Sequence, residues 1–140
     1  MIVLDTNVIS EAMKPEPTIA VRKWLDAQAA ETLYLTTVTQ AEVLFGIAKL
    51  PSGQKKERLA SVFAGVERLF AGRILPFDSE GAFHYAALAS AARGDGRGFP
   101  TPDGYIAAIA TARSFAVATR DAAPFEAGGL TIINPWELQP

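Results

Sequence analysis

Two apolar rhythms alternate along this chain, and that alternation narrows its fold more than any other feature. Short runs read as strands: Ile2-Val3-Leu4 leading into Asp5, Leu33-Tyr34-Leu35-Thr36, Arg73-Ile74-Leu75-Pro76, Ala116-Val117-Ala118-Thr119 and Leu130-Thr131-Ile132-Ile133. Between them, apolar residues recur at helical spacing. Residues 18–30 carry Ile19, Val21, Trp24, Leu25 and Ala29, and residues 54–71 carry Leu59, Val62, Phe63, Val66, Leu69 and Phe70. Further helices are expected in TNVISEAM, which Lys14-Pro15-Glu16-Pro17 stops, from Thr39 to the stop at Pro51, over Ala-rich 79–93, and from Thr101 as N-cap with Pro102 at the first helical position. Strand, helix and strand in succession imply an α/β fold with a mostly parallel sheet. The first run is short and wholly apolar, as a central parallel strand buried on both faces should be.

A length of 140 residues fits one domain, taken as 1–140. The chain has no Cys, which excludes a disulfide framework and thiolate zinc sites. Met1 is followed at once by Ile-Val-Leu, without a basic leader region, so no signal peptide is expected. No apolar run approaches the ~20 residues that span a bilayer. The expectation is a soluble, cytoplasmic protein with no membrane partner.

Thirteen basic residues against fifteen acidic ones give a net charge of −2. A protein that holds nucleic acid by its overall field is usually basic. This chain must therefore avoid nucleic acid, grip it locally, or approach phosphate through a cation or a partner. All five lysines lie at or before Lys56, and every later basic residue is arginine.

Ligands of parallel α/β sheets bind outside the carboxyl ends of the strands. Asp5 and Asp121 each close an apolar run. The connecting helices run antiparallel to the strands, so their first turns lie on the same edge. That brings in Glu42, expected in the first turn after strand two, and Asp103, expected in the first turn before strand four. Converging carboxylates raise one another's pKa. A hard divalent cation relieves this, and Mg²⁺ or Mn²⁺ prefers carboxylate and water oxygens. Such an ion suits phosphoryl chemistry and supplies the local positive field that the chain lacks.

Each acid also has a structural reading. Thr39-x-x-Glu42 matches a capping box. Asp103 suits the positive end of a helix dipole, and Asp5 and Asp121 suit helix caps. Their coincidence on one edge favours the metal site. Asn7 and Thr119 fit as hydrogen-bonding groups that orient the carboxylates. His84, the only histidine, reads as a partly buried helix residue, which argues against histidine-based catalysis. RGDGRG, residues 93–98, reads as a solvated loop. Lys55, Lys56 and Arg58 read as an exposed helix end within reach of an RNA backbone. Trp24 and Trp136 read as packing residues.

The order LDTN, TQAEVLFGI, PDGYIAAIA, VATRD and INPWEL resembles PIN-domain proteins, and among them the VapC/FitB-like toxins of type II toxin–antitoxin modules. The similarity runs over nearly the whole chain. DTN alone is weak evidence; the pieces together, in this order and spacing, are specific. The resemblance implies a five-stranded parallel sheet of order 3-2-1-4-5 flanked by helices. It implies a metal-dependent endoribonuclease whose acidic positions fall on Asp5, Glu42, Asp103 and Asp121. It also implies a homodimer and a small DNA-binding antitoxin, often of ribbon-helix-helix type, through which alone the toxin meets operator DNA.

Rival classes fit less well. A receiver domain needs a lysine near its last strand, and none follows Lys56. A haloacid-dehalogenase-like phosphatase needs Asp-x-Asp where this chain has Asp5-Thr6-Asn7. The remaining alternative is a weakly or non-catalytic partner that binds RNA or antitoxin and acts mainly in an operon-repressing complex.

Overall fold

The computed structural model describes residues 1–126 and 128–137. Leu138, the last residue of the INPWEL stretch, and the end of a 1–140 domain lie outside the described residues. The strands are β1 (Ile2–Leu4), β2 (Leu33–Thr36), β3 (Ile74–Leu75), β4 (Ala116–Ala118) and β5 (Ile132–Ile133). The helices are α1 (Thr6–Ala12), α2 (Ile19–Ala27), α3 (Thr37–Ala48), α4 (Gln54–Leu69), α5 (Ser79–Gly94), α6 (Thr101–Arg113) and α7 (Ala123–Glu126). A 3-10 turn, Ala30–Thr32, leads into β2. Neither that turn nor α7 carries enough periodic residues to be read from sequence.

The sheet is five-stranded with order β3-β2-β1-β4-β5, as expected. All its pairings are parallel, with Ile2 beside Leu33 on one side and Ala116 on the other. β1 is therefore central, and the winding reverses at the β1–β4 pair. Successive strand residues point to opposite faces. Leu4 and Ala118 join a core layer with Val8, Val21, Leu35 and Phe63. Val3 and Val117 join the opposite layer with Ile106, Ala107 and Phe125. Burying β1 on both faces leaves its carboxyl end as the place where a polar residue can reach the sheet edge, and Asp5 stands there.

Two helix starts differ from expectation. β2 passes into α3 with no loop, so α3 begins at Thr37 and its N-cap is Thr36, whose hydroxyl accepts from the Thr39 backbone N–H at 3.1 Å. Thr39 is thus inside the helix, Glu42 falls in its second turn, and the capping-box reading fails. Likewise α6 starts at Thr101 itself, after Pro100, so Thr101 is not the N-cap and Pro102 is the second helical residue. Asp103 remains in the first turn. Arg93 and Gly94 of the expected loop complete α5. His84 is half-buried and edge-on to Phe83. Among the described residues no helix is long and apolar enough to cross a membrane.

Candidate active site

Asp5 leaves β1 and caps α1. Its Oδ1 accepts from the Thr6 N–H at 2.7 Å. Its Oδ2 accepts from the Thr119 hydroxyl at 2.7 Å and more distantly from Asn7 Nδ2 at 3.4 Å. The side chain is 3% exposed. Burial pushes its pKa up, the hydrogen bonds from Thr119 and Thr6 pull it back, and nearby Glu42 and Asp121 raise it again.

Thr119, fully buried at the end of β4, uses every site its hydroxyl has. It donates to Asp5 and accepts from Asn7 Nδ2 at 3.2 Å and from the Asp121 N–H at 3.1 Å. Asn7 Oδ1 in turn accepts from the Arg120 N–H at 3.3 Å. One hydroxyl and one amide thereby tie β1, α1 and the chain after β4 together at the point where the winding reverses.

Glu42 is exposed, and its Oε1 accepts from the Thr6 hydroxyl at 2.7 Å. Thr6 also pairs with the buried Thr39 at 2.9 Å. Thr6 thus links the two acids, its N–H to Asp5 and its hydroxyl to Glu42. Asp103 is half-buried. Desolvation, then the charges of Asp5, Asp121 and Glu42, raise its pKa to about 6. The next residue, Gly104, is needed there: a Cβ would stand 2.8 Å from a Tyr85 ring carbon and 2.9 Å from Phe99. Asp121 is exposed at the outer margin.

Asp5, Glu42 and Asp103 line one open cleft of about 440 Å³ together with Asn7, Arg120 and Trp136. Asp121 stands beside it, close enough for its charge to act on Asp5 and Asp103. Among the described residues no three acid, histidine or cysteine side chains converge tightly enough to ligate one ion unaided. Nor does any of the four acids form an ion pair among those residues. Mutually repelling acids with no basic side chain paired to them among the described residues suit a hard divalent ion. They do not fit an all-protein cage.

Sequence reading passed over several residues of the cleft. Thr6 and Ser10 lie one turn apart on α1, and that spacing after Asp5 was the available signal. Glu11 and Lys14 also line it, but they satisfy each other at 2.9 Å, and Glu11 accepts from the Thr18 N–H as well. Arg120 lies over the Trp136 ring at 5.2 Å. Trp136 packs against the core layer of Leu4 and also faces the cleft.

Comparison with known proteins identifies the family. The PIN domain family model matches residues 2–129. The chain is 53% identical over 138 residues to the VapC ribonuclease Y4jK of Sinorhizobium fredii, covering 98% of this chain and 99% of the relative. It is 46% identical over 140 residues to Toxin FitB of Neisseria gonorrhoeae, covering 97% and 99%. The structure of FitAB bound to an IR36 DNA fragment contains a chain that superposes with a TM-score of 0.93 at 45% identity, covering 100% of this chain and 99% of that one.

Proposed function

Because the chain belongs to the PIN-domain family and is a VapC/FitB-like member of it, we propose that it is a metal-dependent endoribonuclease, the toxin of a type II toxin–antitoxin module. The observation that carries this reading is the buried Asp5, hydrogen-bonded by Thr6 and Thr119 and surrounded by Glu42, Asp103 and Asp121 with no ion-pair partner among the described residues.

Asp5 and Asp103 would hold Mg²⁺ or Mn²⁺, and Glu42 and Asp121 would complete the acidic set. When bound, the ion supplies positive charge at phosphoryl oxygens and makes water more acidic. Asn7 and Thr119 orient the Asp5 carboxylate. Thr6 fixes Glu42 in the same way. Glu42 or Asp121, the exposed pair, takes the proton of the attacking water. In-line attack of the water oxygen on phosphorus breaks the P–O3′ bond, and the departing 3′ oxygen takes a proton from solvent, leaving a 5′-phosphate and a 3′-hydroxyl.

The domain is taken to span 1–140, to act in the cytoplasm and to pair with a second copy of itself. Its inhibitor is a small DNA-binding antitoxin, ribbon-helix-helix or similar, that alone contacts operator DNA. A second reading, a weakly or non-catalytic partner in an operon-repressing complex, draws support from the relative solved as FitAB on DNA.

One experiment separates them. Antitoxin-free protein is given excess mixed RNA with Mg²⁺, Mn²⁺ or EDTA, and product ends are identified. Multiple turnover that needs the ion and leaves 5′-phosphates supports the nuclease. Metal-independent cutting to 2′,3′-cyclic phosphates would exclude this mechanism. No turnover from folded protein would favour the regulatory reading.

A further inference from the structure

Beside the acid cleft lies a second groove of about 430 Å³, set between α1, α3 and α4. Thr6, Ser10 and Glu42 line both depressions, so they form one continuous surface. The floor of the second is aliphatic: Met13, Val43, Ile47 and Leu59. Its rim carries Lys55 and Arg58, both exposed and in no ion pair among the described residues.

Two local features of this groove work against stability. Gly46 lies inside α3, where glycine is a poor helix residue, yet a Cβ there would meet nothing within 4 Å. No neighbour requires the glycine; it only keeps the groove deep. Lys55 and Arg58 stand near the start of α4, the positive end of its dipole, where cations are disfavoured, with Glu57 beside them; Lys56 instead donates to the Ala48 carbonyl at 3.1 Å. Both features open on the same groove, and broken local rules of this kind concentrate at functional sites.

We propose that this groove is a subsite for an RNA nucleotide flanking the scissile phosphate, with the base face on the aliphatic floor above Gly46 and a backbone phosphate against Lys55 and Arg58. The inference rests on the nuclease reading above and names where the substrate lies. A nucleotide joins an apolar face to an anion, and the groove joins an apolar floor to two free cations. A chain of net charge −2 with an acidic cleft needs such a local grip on phosphate. The floor has no aromatic ring, so it removes a base from water without stacking on it. Its polar wall is sparse, so it selects by size more than by base edge.

The probe is a fluorescein-labelled ten-nucleotide RNA pool, followed by anisotropy in EDTA, where the metal-dependent hydrolysis proposed above cannot run. Wild type is compared with Gly46→Leu and with the Lys55→Ala/Arg58→Ala double variant. A parallel arm sequences the cut sites in a natural RNA pool. The double variant is expected to bind about tenfold more weakly and to lose about 0.7 from the log–log salt slope, as one single-strand phosphate contact should. Gly46→Leu is expected to raise KM and change the preferred nucleotide at one position beside the cut, with Mn²⁺ affinity unchanged. Unchanged binding, slope and preference in folded variants would overturn the proposal. So would variants that leave RNA binding intact but weaken antitoxin binding, which would make the groove a protein-docking surface. If Gly46→Leu does not fold, the double variant decides, because both its residues are exposed on α4. If wild type cuts nothing, the nuclease reading fails, and the anisotropy arm still judges the groove.

Discussion

Asp5 ends the central strand, is 3% exposed and receives hydrogen bonds from Thr6, Thr119 and Asn7. Asp103 stands in the first turn of α6, half-buried, with no hydrogen bond to its carboxylate among the described residues. The two acids face one cleft and both have raised pKa values, but their support differs. At Asp5 the donors partly offset the cost of burial. At Asp103 nothing offsets it, and neighbouring negative charge adds to it. Asp5 is thus fixed before any ligand arrives, whereas Asp103 is left to respond to a proton or a cation.

The largest expected effect follows from removing the fixed acid. Asp5→Asn should lower RNA cleavage by about a thousandfold, or roughly 4 kcal/mol of transition-state stabilisation, with a native circular dichroism spectrum. A collapse of that spectrum would show that Asp5 serves the fold instead. Thr119→Val removes the hydroxyl that serves Asp5, Asn7 and Asp121. It should weaken cation binding or turnover by about 10–100-fold, measured by Mn²⁺ titration, and cost about 1–3 kcal/mol of stability for the groups left unpaired. Gly104→Ala should destabilise by about 1–3 kcal/mol through overpacking against Tyr85 and Phe99, read as a lower thermal midpoint. A neutral result would mean that those rings move aside freely.

The smallest effect tests the responsive acid. The folded pKa of Asp103, about 6, lies above its ordinary 3.8, so the folded state holds that proton more tightly. The ionised side chain therefore opposes folding fully above pH 6, and the penalty fades as pH falls from 6 toward 4. Without metal, Asp103→Asn should stabilise the protein at pH 7.5 by about 1 kcal/mol, after discounting for partial exposure. The gain should vanish near pH 4 in thermal melts. A gain independent of pH would place its cause elsewhere.

The difference between the two acids also marks what sequence could and could not disclose. Asp5 is legible because it directly follows an apolar run that has to be a strand; Asp121 is legible only more loosely, since it stands three residues past the end of β4 at Ala118. The edge they share follows from parallel winding alone, while the strand order came from family resemblance. The quality of support is not legible. The double role of Thr6 depends on α3 lying beside α1, and Gly104 becomes necessary only where Tyr85 and Phe99 close over it. The start of α3 was misplaced because β2 runs straight into it. Thr36, at a strand end, takes the capping role that local spacing had given to Thr39. At α6, Pro100 and Pro102 flank Thr101, and the helix begins at Thr101 with no side-chain cap.

The most direct test of the contrast is a calorimetric titration of Mn²⁺ into wild type and Asp5→Asn at pH 5.5 and 7.5, in buffers of different protonation enthalpy. Wild type should bind more tightly at pH 7.5, and at pH 5.5 binding should release a large fraction of one proton as Asp103 ionises, while Asp5→Asn binds weakly at both. Saturable binding with no proton release and no dependence on Asp5 would contradict the account.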